Sequence, residues 1–139
     1  MAFGRTPTSR PGFSVAAAVG EVNARRAVNV LLAVASVEII AGLVAETAAP
    51  SWLVRAGADY VNVVVGVVYA GLALTALRFR STIALAIATG LFGLEALREI
   101  LGELVTTDLI GLLLTVVIYT SLGWPMLKGV PGMWSWSRG

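Results

Sequence analysis

Neither cysteine nor histidine occurs among the 139 residues. Their absence excludes disulfides, thiolate nucleophiles, zinc sites built from Cys or His, imidazole haem ligation and proton transfer through imidazole. Charge is scarce too: Asp, Glu, Lys and Arg make up 13% of the chain, against about a quarter in an ordinary soluble domain. Acid–base work is left to carboxylates, Tyr or Arg. No nucleophile, metal-ligand cluster or phosphate-binding loop accompanies them, so no enzyme, cofactor or metal site is expected. Ten basic residues and a net charge of +2 form no stripe along the sequence, and nucleic acid is not an expected partner.

What is abundant is apolar. Hydrophobic residues make up 58% of the chain and the mean hydropathy is +0.87. A domain this small has too little interior to bury so much apolar surface. Lipid removes that limit, so the bilayer is the first expected partner. Four long apolar runs, about 27–45, 60–77, 82–101 and 108–126, are separated by charged or turn-rich breaks. Each is roughly 18–20 residues, which at about 1.5 Å per residue matches a hydrocarbon core of about 30 Å. The runs are continuous rather than alternating, which excludes barrel strands. The expectation is an all-α integral membrane protein, a four-helix up-down bundle occupying 27–126.

Orientation follows from the cations. Arg5, Arg10, Arg25 and Arg26 precede the first run, Arg78 and Arg80 lie between the second and third, and Lys128 and Arg138 follow the fourth. Only Arg55 and Arg98 fall on the opposite side, where Glu46, Asp59, Glu99, Glu103 and Asp108 gather. The positive-inside rule then places both termini in the cytoplasm, with a prokaryotic plasma membrane as the expected location. Residues 1–26 are read as a cytoplasmic segment. "FSVAAAVGEV" (13–22) is apolar like a signal-peptide core, but it is short and runs into Glu21 and the Arg25–Arg26 pair, so an interfacial helix leading into the first span is expected instead. Pro125 and Pro131 suggest that the last helix stops, leaving 127–139 as a cytoplasmic Trp-rich tail. Trp52, Trp124, Trp134 and Trp136 are candidate interfacial anchors, and Thr106 and Thr107 are placed to cap the fourth helix ahead of Asp108.

Each run carries one face of small and polar residues. On a 3.6-residue period Glu38 shares a face with Ala35, Ala41, Gly42 and Ala45; Asn62 with Gly66, Tyr69, Ala70 and Ala73; Glu95 with Ala84, Ala88, Arg98, Glu99 and Gly102; and Asp108 with Gly111, Thr115 and Tyr119. Small residues let helices approach closely, so these faces should turn inward. Glu38 and Glu95 lie roughly 18 and 21 Å from the cytoplasmic end, at nearly one level. A bare charge at mid-bilayer costs at least about 2.5–3.5 kcal/mol, so partners are required. Arg98, three residues beyond Glu95, is the expected partner of Glu95 and a bridge to Glu38. Glu38, Asn62, Glu95, Arg98, Glu99 and Asp108 form the candidate intramembrane cluster, as a structural network or an ion pathway.

A shift of 57 positions sets "VEIIAGLVAE" over "LEALREILGE", aligning Glu38 with Glu95 and Glu46 with Glu103; two matched acids are too few to establish a repeat. No motif identifies a family. The leading functional expectation is a non-catalytic accessory or assembly subunit associating with other membrane subunits or with itself. The alternative is an oligomeric cation or proton channel, or a proton-coupled transporter, using Glu38.

Overall fold

In the computed structural model, which describes residues 11–48, 51, 59–106 and 108–138, the chain forms four long helices: α1 (Pro11–Thr47), α2 (Tyr60–Phe79), α3 (Thr82–Thr106) and α4 (Leu109–Arg138). No strand occurs among the described residues. The helices neighbour one another in ring order, with α1 against α2 and α4, and α3 against α4 and α2. Three of them, α1, α2 and α4, are long and apolar enough to cross a membrane. α3 has the length, at 25 residues, but gathers Glu95, Arg98 and Glu99 within two turns.

Two boundaries differ from those the sequence suggests. α1 has no break at residue 26: the turns from Pro11 onward are continuous with the rest of the helix, so among the described residues no separate interfacial helix precedes the apolar run. Arg25 Nε donates to Glu21 Oε1 at 2.8 Å, a side-chain pair one helical turn apart that supports continuity. α4 likewise runs through Pro125 and Pro131 to Arg138, so 127–138 is helix rather than a tail. Each proline deprives a carbonyl one turn back of its usual N–H partner, at about 3 kcal/mol in an isolated helix. Packing offsets that cost. Met126, Gly129, Gly132, Met133 and Trp136 are all buried on one face of this extension, whereas Pro131 faces outward.

The partner of that face is the beginning of α1. A β-carbon placed on Gly132 would lie 2.8 Å from the Gly20 carbonyl oxygen, and one on Gly129 would collide with Ala27 Cβ. Backbones this close need glycine on the facing positions. The α1–α2 seam repeats the device: a β-carbon on Gly42 would lie 2.8 Å from the Asp59 carbonyl, and one on Gly66 would lie 2.7 Å from that of Ala35. Between α2 and α3 the chain reverses at Arg80, whose left-handed backbone (φ 49°) caps α2, its N–H donating to the Ala76 carbonyl. Ser81 then opens α3, its hydroxyl accepting from Ala84 N at 3.1 Å.

Burial is uneven along the bundle. At the end holding this turn, Ala24, Ala27, Leu31, Ala73, Ala76, Leu85, Met126 and Met133 form a continuous core. Beyond Phe92, α3 buries none of its described residues, and neither does α4 before Met126. Val105, Leu109 and Ile110 are three-quarters exposed or more, at 83%, 78% and 75%. α2 and α3 therefore part as they leave their shared turn, and the space between them is the candidate site.

Candidate functional site

The cleft has a volume of about 910 Å³ and takes a wall from every helix: Glu38 of α1; Asp59, Asn62 and Tyr69 with several valines at the start of α2; Leu91, Leu94, Glu95, Arg98 and Glu99 of α3; and Tyr119 of α4.

Asn62 organises one side. Asp59 caps α2 by accepting from Val61 N at 2.9 Å, and Asn62 Oδ1 returns the bond by accepting from Asp59 N at 2.8 Å. This reciprocal capping satisfies backbone donors that the helix leaves open and holds the amide in one orientation. Its Nδ2 then points at α1 and donates to Glu38 Oε2 at 2.6 Å. A helix-cap residue thus doubles as the partner of the acid in the apolar run of α1. Glu46, two turns farther along α1, accepts from Tyr60 N at 3.0 Å and ties the same helix start from above.

Tyr69 organises the other side. It lies seven residues beyond Asn62 on the same face, its ring is buried, and its hydroxyl donates to Glu95 Oε2 at 2.8 Å. The Glu38 and Glu95 carboxyls line the same cleft, close enough for each to feel the other's charge. The two acids that sequence spacing sets at one level thus meet across the bundle, each held by a neutral donor. Tyr119 stands beside them with its ring against Phe92, centroids 5.2 Å apart.

Arg98 has a different partner from the one expected. Its NH2 donates to Glu99 Oε1 at 2.8 Å and its side chain is 77% exposed, so it sits at the rim with Glu99. Spacing along α3 puts it near Glu95, but Tyr69 occupies the inward side of that acid. Among the described residues no ion pair reaches Glu38 or Glu95. Asp108 lies outside the cleft. It caps α4 itself, accepting from Gly111 N at 3.1 Å, with Glu103 close by. The connection from α3 is so short that Asp108 stays at the end of the bundle, in the capping place expected of the threonines; Thr107 lies outside the described residues.

The tryptophans do not share one level. Trp52 lies outside the described residues. Trp124 and Trp134 are exposed, with Lys128 Nζ 5.7 Å and Arg138 Cζ 4.7 Å from their respective rings, but ten residues of helix separate them by about 15 Å. Trp136 is no surface anchor. It is buried, with Arg25 Cζ 5.1 Å and Arg80 Cζ 4.5 Å from its ring, because it continues the face of α4 that packs on α1. Cation–π contacts of this kind contribute about 0.5–2 kcal/mol each, and here they tie α1, the α2–α3 turn and α4 together.

Sequence reasoning noted Tyr69, Tyr119 and Asp59 but did not place them in the cluster. A tyrosine in an otherwise aliphatic run was the available signal, since a buried phenol needs a hydrogen-bond partner. Compared with protein-family models, with curated proteins and with solved structures, the chain matches none.

Proposed function

We propose that the chain is a multi-pass plasma-membrane protein, an up-down bundle of four spans with both termini cytoplasmic, and that its Glu38–Glu95 pair exchanges a cation for a proton. Contacts of α1 with α2 and α4 run in opposite chain directions, as Gly42 near Asp59 and Gly66 near Ala35, and Gly20 near Gly132 and Gly129 near Ala27, illustrate. They support the alternating topology. Arg25 and Arg80 meet at Trp136, with Arg26 and Arg78 adjacent in sequence, so the cations collect at one end as the positive-inside rule requires of a cytoplasmic face. α3 is taken as the fourth span, its charged residues Glu95, Arg98 and Glu99 gathered along the cleft.

One observation carries the functional reading: the cleft reaches two facing carboxyls whose described partners are an amide and a phenol. Two carboxylates sharing one cleft repel each other, which favours keeping a proton on one of them. An arriving cation releases that proton to water, because a positive charge between the acids offsets their repulsion. A purely structural network would be expected to close over its acids. The open cleft therefore favours transport over the accessory role that sequence alone put first.

The test is proton flux in liposomes carrying the full chain, driven by an imposed cation gradient and read by an entrapped pH dye. Wild-type flux should exceed that of Glu38→Gln; equal leakage from both removes the proposal. With no native cysteine to interfere, Glu103→Cys should react with an impermeant maleimide from outside and Arg78→Cys only from the cytoplasmic side.

An accessory or assembly subunit is the second reading. It is favoured by the outer halves of α3 and α4, where Leu104, Leu109 and Leu113 are more than half exposed and a further membrane helix has room to pack. Purification from native membranes tests it: a chain that always migrates as a lone monomer is no subunit.

A further inference from the structure

The cleft is far larger than a bare ion needs. Its volume of about 910 Å³ equals that of about thirty liquid waters and lies near the top of the range of about 300–1,000 Å³ that holds drug-sized organic ligands. Its walls are of two kinds. The floor holds the Glu38–Glu95 pair with Asn62 and the Tyr69 hydroxyl. Val64, Val68, Leu91 and Leu94 form the apolar sides, and all four are exposed, so the cleft has an open apolar edge between α2 and α3. In a bilayer that edge faces acyl chains, so the cleft opens sideways toward lipid.

Resting on the cation-exchange reading above, we propose that the occupant is an amphipathic organic cation, which enters from the bilayer between α2 and α3 and sets its charge against Glu38 and Glu95 with its apolar body along the valine and leucine walls. Charge selects the sign. Among the described residues four carboxylates, Glu38, Asp59, Glu95 and Glu99, line the cleft against the single guanidinium of Arg98, and that guanidinium is engaged by Glu99. Among the same residues an anion finds no free cation at the floor. The Tyr69 and Tyr119 rings, both at the cleft wall, add faces that attract an organic cation. A small inorganic cation would satisfy the acids but leave the apolar walls without a role.

The test is equilibrium dialysis of the purified full chain in neutral detergent, corrected for empty micelles, with tetraphenylphosphonium as the probe. Tetraphenylborate, of matching shape and opposite charge, is its control. Wild type should bind the cation saturably and the anion not at all. Glu95→Gln should weaken binding by at least about tenfold, equivalent to about 1.4 kcal/mol. Glu95→Asp, which keeps the charge, should restore most of it, and excess sodium or potassium chloride should displace little beyond ionic screening. Val68→Trp, which fills the apolar wall and leaves both acids in place, should also weaken it. Equal affinity in wild type and Glu95→Gln, equal binding of the anion, or full displacement by sodium would each overturn the proposal. Proton flux that depends on Glu38 without saturable tetraphenylphosphonium binding would overturn this assignment and leave the cation-exchange reading standing. Loss of both would remove the two together.

Discussion

The α1–α4 and α2–α3 pairs solve the problem of helix contact in opposite ways. Where the chain begins and ends, Gly20, Gly129 and Gly132 bring α1 and α4 into backbone contact, and Trp136 fills the junction beneath two arginines. Along α2 and α3 the helices stand apart: the Tyr69 hydroxyl reaches across to Glu95, while Asn62 on the same face of α2 holds Glu38 of α1 at the edge of the opening. Close packing of small residues leaves no room for a ligand. Hydrogen bonds between side chains hold helices at a distance and leave a cleft.

Removing Trp136 should break the contrast most severely. Trp136→Ala empties the packed junction and frees two arginines, and a loss of about 3–5 kcal/mol is expected, read as a lowered unfolding midpoint in detergent. Gly129→Val attacks the same end by overfilling. It forces a branched side chain against Ala27, for an expected loss of about 1–3 kcal/mol, measured the same way. At the open end, Asn62→Ala removes the return bond of the α2 cap and the donor to Glu38. About 1–2 kcal/mol is expected from the two bonds together, accompanied by altered cation binding, which the packed-end variants should change only in proportion to unfolded protein. Arg98→Ala should have the smallest effect, since exposed ion pairs contribute about 0–1 kcal/mol; a loss as large as that of Asn62→Ala would mean that Arg98 reaches inward to Glu95 after all.

The acids were legible before the fold was known. Glu38 and Glu95 stand out because nothing else in their runs is charged at that depth, and helical spacing places each on a small-residue face. Their neutral partners were harder to see. Pairing by charge pointed to Arg98, but a helical period cannot tell an inward-facing arginine from one leaning to the rim, and the Tyr69 hydroxyl was already at Glu95. The prolines misled for a related reason. Pro125 and Pro131 are helix breakers by local preference, yet the face through Met126, Gly129, Met133 and Trp136 buries enough surface on α1 to keep α4 helical.

Sequence alone determined the helices and their apolar character, since backbone polar groups in lipid are satisfied within a helix and the runs have the length to span. It also determined the asymmetry of charge, with arginines near one end and carboxylates near the other. Tertiary structure decided which helices meet through glycine and which stay apart, and hence that a cleft exists and that Glu38 and Glu95 share it. That choice depends on shapes matched across helices distant in sequence, a property no single helical period contains.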